Sequence, residues 1–230
     1  MIAWKQWLER HLSESSAPTV LTLGELSRAA NLARNDSVPD PTLHAWIRDA
    51  VARERLTPVI RGIYLNRFKQ PPGRLADAAS YVRRDAVVSL HTVLDEAGLL
   101  NNPPAYVAAV IPLDPGPVRP RVGRVQTAAG PMQFHGMPRA MLEAGAVEDR
   151  LDLEGQNAHA RATPEKALLD WLYLAKSPRS ALTPPALHDV EHEMLNKKRL
   201  TRLARAMKGE GALLEWTRGE WTRKQSSTTG

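Results

Sequence analysis

Five residues, "HDVEH" from His188 to His192, have the most specific chemical spacing in this sequence. On a helix, His188 and His192 would lie one turn apart and bind Zn²⁺ while Glu191 takes a proton from the bound water, the H-x-x-E-H pattern of inverted zinc peptidases. Such a site needs a third ligand, and the chain beyond it offers only Glu193, Glu210, Glu215 and Glu220. The stretch "PPALHDVEHEMLNKK" reads more simply as an amphipathic helix that buries Leu187, Val190 and Met194 and leaves its histidines and glutamates in water. A zinc-dependent hydrolase using His188, Glu191 and His192 is therefore kept only as an alternative. Cysteine is absent, which removes disulfides, thiolate metal sites and cysteine nucleophiles. No G-x-S-x-G elbow, phosphate loop or dinucleotide fingerprint occurs. His135 and His159 fall in expected strands, as core or edge histidines. The expectation is a chain with no catalytic residues, metal or cofactor.

A second set of residues has the chemistry of nucleic-acid contact. Thr42, His44, Ala45 and Arg48 occupy the outward side of an expected helix that Asp40 caps and Pro41 opens. Its buried stripe is Leu43, Ile47, Ala50 and Val51 with Trp46 beside them, and Arg53 and Arg55 follow at its end. Side chains near the start of such a helix can meet base edges, while arginines farther along hold phosphates. Arg61 stands in "LTPVIRGIYL", where Val59-Ile60 and Ile63-Tyr64-Leu65 have strand propensity around a glycine turn. Alone, that stretch fits a plain hairpin as well as a DNA-contacting one.

What precedes it decides between the two. "MIAWKQWLERHL" places Ile2, Trp4, Trp7, Leu8 and Leu12 at near-helical spacing. Thr22 is an N-cap with Glu25 at the capping-box position of a second, short helix striped by Leu23, Leu26 and Ala30. "RNDSVPDP" ends it with turn formers. Helix, short helix, turn, longer helix and hairpin is the order of a winged helix-turn-helix. The expected base-reading and backbone-holding residues are therefore Thr42, His44, Ala45, Arg48, Arg53, Arg55 and Arg61. A structural helical subdomain with solvated arginines is the competing reading.

Charge agrees with an anionic partner. Residues 1–70 carry ten Lys/Arg against seven Asp/Glu, 71–194 twelve against fifteen, and 195–230 nine against three, within a net charge of +6. Both ends are basic around a mildly acidic middle. No apolar run approaches the ~20 residues that cross a bilayer, and the start lacks the layout of an export signal. A cytoplasmic location without a membrane partner is expected.

In the middle, "PPG" introduces a helix with Leu75, Ala78, Ala79 and Val82 inward, Val87-Val88 is extended, and Ser89 caps a helix closed by Gly98. "AYVAAVIP", "RVGRVQTA", "MQFHGM" and "NAHARA" read as four short strands. Thr163 caps and Pro164 opens a helix that buries Leu168, Leu169, Leu172 and Tyr173. The expected fold class is α+β: an N-terminal winged helix-turn-helix (1–70), a mixed α+β domain (71–208) with a basic helical end, and a partly disordered basic tail (209–230).

The order "RGIYL", "VVSLHTVLDEAGLL", a small sheet and "TPEKALLDWLYL" resembles the AbiEi-like antitoxins of type IV toxin–antitoxin systems, over residues ~20–175. The resemblance implies a winged domain that represses its own operon by binding promoter DNA. It also implies a C-terminal domain that counteracts a nucleotidyltransferase-like toxin. In this likeness "RGIYL" is the wing, while "VVSLHTVL" and "TPEKALLDW" form the core of the second domain. A solitary winged-helix transcription factor without a toxin is the alternative. "LNKKRLTRLARAMKGEG" is a basic amphipathic helix with three readings: phosphate contacts, docking of an acidic partner, or a solvated cover helix.

Overall fold

The computed structural model describes residues 3–114, 121–144 and 160–221, and these form an α+β protein. They divide into two units: one runs to Val82 and includes Gln126–Pro131, and the other holds Arg83–Val125 and the remainder. The turn Leu75–Ala78 and the helix after it count with the first unit.

In the first unit, helix α1 (Ala3–Ser13) is followed by strand β1 (Val20–Thr22), helices α2 (Leu23–Arg34) and α3 (Asp40–Ala52), and strands β2 (Leu56–Ile60) and β3 (Ile63–Asn66). Thr22 caps α2 as expected: its hydroxyl accepts from Glu25 N–H at 3.1 Å and Glu25 returns the bond to Thr22 N–H at 2.7 Å. The helix ends at Asn35 in the left-handed region, a conformation asparagine tolerates. Helix α3 begins one residue early. Pro39 takes the cap position without a side-chain bond and Asp40 enters the first turn, where its charge still meets the positive helix end. Strand β3 lies between β1 and β2, antiparallel to both. Leu8, Leu12, Leu26, Leu43, Trp46, Ile47 and Leu56 share one core, whereas Trp7 is exposed and stacks on His11.

A buried asparagine knits this core to its loops. Asn66 donates from Nδ2 to the carbonyls of Leu12 and Pro18, each at 2.9 Å, and its Oδ1 accepts from Phe68 N–H at 2.9 Å. Its backbone N–H donates to Thr19 C=O and its C=O accepts from Gly73 N–H, both at 2.8 Å. Residue 73 must be glycine there, because a Cβ would stand 2.1 Å from Thr19 oxygen. Beside it, the buried Lys69 ammonium donates to the carbonyls of Ser15 (2.7 Å) and Ala17.

The second unit contains helix α5 (His91–Glu96), after α4 (Ala79–Val82) in the first. Its sheet runs β4 (Val87–Val88), β5 (Val107–Leu113), β7 (Gly130–Pro138), β6 (Gly123–Thr127), with β4 antiparallel and β7 parallel to β5. The uninterrupted apolar run of β5 suits a strand covered on both faces. Of the fourth expected strand, Arg161 forms only a single bridge to Val88, and Asn157–His159 lie outside the described residues. After α6 (Arg139–Leu142), helix α7 (Pro164–Lys176) packs against α5, α8 (Lys197–Ala206) and α9 (Glu210–Thr217). Thr163 caps α7, accepting from Lys166 N–H at 3.4 Å. Ser89 does not cap α5. Leu90 holds that position, and the fully buried Ser89 hydroxyl donates to Asp170 at 2.7 Å, where Lys166 also pairs. Burial pushes the Asp170 carboxyl up against the opposing pull of Lys166 and Ser89. The segment expected as a tail is partly folded: α9 buries Trp216, whose indole N–H donates to Pro185 C=O at 2.8 Å. Residues 222–230 lie outside the described residues.

Two outcomes are expected. Asn66→Ala strands the Leu12 and Pro18 carbonyls and Phe68 N–H, and should lower unfolding free energy by about 2–4 kcal/mol in urea titration. Burial holds His91 below its ordinary range, and burial with the His91 charge takes His135 to about 4. Both are neutral when folded and protonate near pH 6.5 when unfolded, so stability is flat above about pH 7 and falls as pH drops from about 6.5 toward 4. His135 Nε2 is buried without a hydrogen-bond partner, so His135→Phe should keep the fold and flatten part of that decline; an unchanged pH profile would refute the assignment.

Candidate nucleic-acid interface

Helices α2 and α3 are joined by residues 35–39, where Val38 turns inward and its N–H donates to Asn31 Oδ1 at 2.8 Å. That anchor sets the angle at which α3 leaves the turn, with Leu43, Trp46, Ile47 and Ala50 buried. The residues between them are left in water: Thr42, His44, Ala45 and Arg48 are all exposed. Their spacing gives a mixed donor, acceptor and apolar surface beginning in the first turn of α3. Ala45 leaves room there for close approach.

The β2–β3 turn carries Arg61, also exposed, beside Gly62 at φ +76°. Gly62 C=O accepts from Leu23 N–H at 2.8 Å, which fixes the root of the turn to the start of α2. Helix α2, helix α3 and the arginine-tipped hairpin are thus tied through one small sheet.

The two arginines after α3 are engaged elsewhere. Arg53 Nη2 lies 2.8 Å from Glu9 on α1 and 2.8 Å from Asp49 on α3. The Glu9 hydrogen bond, ahead of the other contributions, holds its guanidinium above the usual range. Arg55 lies over the Phe68 ring at 4.9 Å, and Phe68 stacks on Trp46 at 6.1 Å. Arg55 therefore covers an aromatic core pair while its side remains exposed. No spacing rule in the sequence signals the Arg53–Glu9 pairing, because the partners are far apart in the chain and meet only when α1 packs.

The "HDVEH" stretch forms no α-helix. His188 sits in a 3₁₀ turn, Leu187–Asp189, Val190 is extended, and His192 opens a second turn, His192–Met194. Val190 bridges Leu100 instead of continuing a helix, so the one-turn spacing that zinc would require is not made. His188 is exposed beside Asp189 at 3.7 Å, while His192 packs edge-on to Trp216 at 5.7 Å. Met194, expected inside, is exposed. Among the described residues no cluster of three His, Asp or Glu is placed to hold a metal. His159 lies outside the described residues. Among the described residues no helix is long and apolar enough to cross a membrane.

The chain is similar to the crystal structure of the RV2827C protein from Mycobacterium tuberculosis, with a TM-score of 0.52 at 14% identity, over 96% of this chain and 82% of that one. Likeness at that identity concerns the fold. No family model matches the chain. No curated protein matches it.

The arginine placements separate by measurement. Arg53→Ala should cost about 0.5–1 kcal/mol in urea unfolding, as half-exposed ion pairs do. Arg48→Ala, at an exposed position on α3, should leave that midpoint within about 0.5 kcal/mol.

Proposed function

We propose that the first unit is a winged helix-turn-helix and that this chain is a DNA-binding transcriptional repressor. The observation that carries the reading is the joint presentation of α3 and an arginine-tipped β2–β3 hairpin on a β1-β3-β2 sheet. In this reading α3 enters the major groove. Thr42 and His44 meet base edges, Ala45 gives apolar contact to a thymine methyl, and Arg48 takes a base edge or a phosphate. Arg61 reaches the backbone or minor groove from the wing, and Arg55, at the opposite end of β2, adds charge to the same unit. Arg53 contributes mainly by holding α1 against α3.

The resemblance of "RGIYL", "VVSLHTVL" and "TPEKALLDW" to AbiEi-like antitoxins extends the proposal. The chain represses its own operon and, through the second unit, counteracts a nucleotidyltransferase-like toxin. The segments of the second unit that carry the resemblance contribute to its core, with Leu168, Leu169 and Leu172 of α7 and Val88 of β4 buried.

The test is a salt titration of the full chain on DNA from upstream of its own gene, beside scrambled duplex of equal length. The expected result is tighter binding to the promoter with a steep salt slope. Arg61→Ala should weaken both duplexes equally and reduce the slope by about one. Thr42→Ala should shift sequence preference by about 1–3 kcal/mol at one position. Equal, weak binding to both duplexes by the unaltered chain would overturn the repressor reading.

A further inference from the structure

Helix α8 breaks a rule that its neighbours obey. Its first turn is Lys197, Lys198 and Arg199, with no acidic residue, so three cations stand at the helix end that already carries partial positive charge. Asn196 caps it, accepting from Arg199 N–H at 3.0 Å, and Glu165 from α7 reaches Asn196 N–H at 2.8 Å and Arg199 at 3.5 Å. Glu165 thus answers Arg199. Lys197 and Lys198 are exposed, and together with the exposed Thr201, Arg202 and Arg205 they line one surface depression. Arg205 also touches the exposed Glu210 at 3.3 Å, a contact that water and salt weaken. Departures from local rules of this kind concentrate at functional surfaces.

We propose that this face of α8 is a second, sequence-independent DNA contact that binds the phosphodiester backbone of a duplex. Three observations select that partner. The opposite face of the helix, Leu203, Ala204 and Met207, is buried against Leu169, so the helix has no apolar side left to enter a lipid surface. The exposed face has no aromatic residue on which unpaired bases could stack. It also lacks the apolar or aromatic anchors that centre protein interfaces, where lysine is depleted. What remains is a row of cations advancing along the axis, about 6 Å for every four residues, with a hydroxyl among them. A phosphate near Lys197 and Lys198 would relieve their conflict with the helix dipole.

The contact is independent of base reading by α3, and the experiment keeps the two apart. Full-length protein carrying Lys197→Gln, Lys198→Gln, Arg202→Gln and Arg205→Gln is titrated with salt on scrambled duplex, promoter duplex and single-stranded RNA of equal length. The expected result is a slope shallower by about three and affinity down roughly tenfold or more on both duplexes, with the promoter-to-scrambled ratio unchanged. Thr201→Glu alone, which places an acid amid the row, should weaken duplex binding in the same direction if the fourfold variant folds poorly. Scrambled-duplex binding that neither variant alters would overturn the proposal, even where promoter preference survives. Loss confined to the single-stranded RNA would overturn it as well. An unaltered chain with no promoter preference, whose scrambled-duplex binding still depends on α8, would refute the repressor reading and support this one.

Discussion

The first unit depends on one buried amide. Asn66 ends β3 and spends all its polar atoms on neighbours: the end of α1, the turn into β1, and the chain that leaves the sheet. An unpaired amide in that position would carry a desolvation cost that the apolar core does not offset. The geometry of the loops is therefore specified as narrowly as that of the helices. Lys69 adds a buried charge dispersed over two carbonyls, which anchors the same turn from the other side. With α1 and β1 held, β3 has a fixed partner, and the hairpin that carries Arg61 inherits its position from that pairing.

Sequence patterning made much of this legible where local physics governs. The capping box at Thr22, the Thr163-Pro164 start and the stripe of α3 depend on residues within one helical turn, and they stand where expected. So do the strand runs Val107–Leu113, Gly123–Thr127 and Gly130–Pro138. The differences arise where distant contacts outweigh local propensity. Ser89 has the makings of a cap, yet a bond to buried Asp170 is stronger than one to a backbone N–H that water can serve. "HDVEH" has helical periodicity, but Val190 pairs with Leu100 and splits it into two turns. Arg53 and Arg55 read as outward cations, and each finds a partner from another element. The outward residues of α3 were legible as a surface because burial of Leu43, Trp46, Ile47 and Ala50 leaves them no other direction.

The second unit solves a different problem. Helix α7 is buried on nearly every side, including Glu165, Lys166 and Asp170. Ionic groups are tolerated inside only when each is answered, and here Lys166 and Ser89 answer Asp170 while Asn196 and Arg199 answer Glu165. The arrangement specifies how α5, α7 and α8 meet, since apolar contact alone would allow them to slide. Removing one member would leave a buried charge alone, a larger loss than the net worth of the pair.

The sheet of the first unit has a consequence for self-association. Its outer strands are β1, three residues long, and β2, in which Pro58 has no N–H to offer and the register shifts between Pro58 and Ile60. Short edges, proline and bulges are the devices by which β proteins resist edge-to-edge pairing. Two copies of this unit brought side by side would therefore not fuse their sheets into a continuous ribbon. Their spacing would follow the contacts of helices and side chains, and a high local concentration would not seed strand exchange.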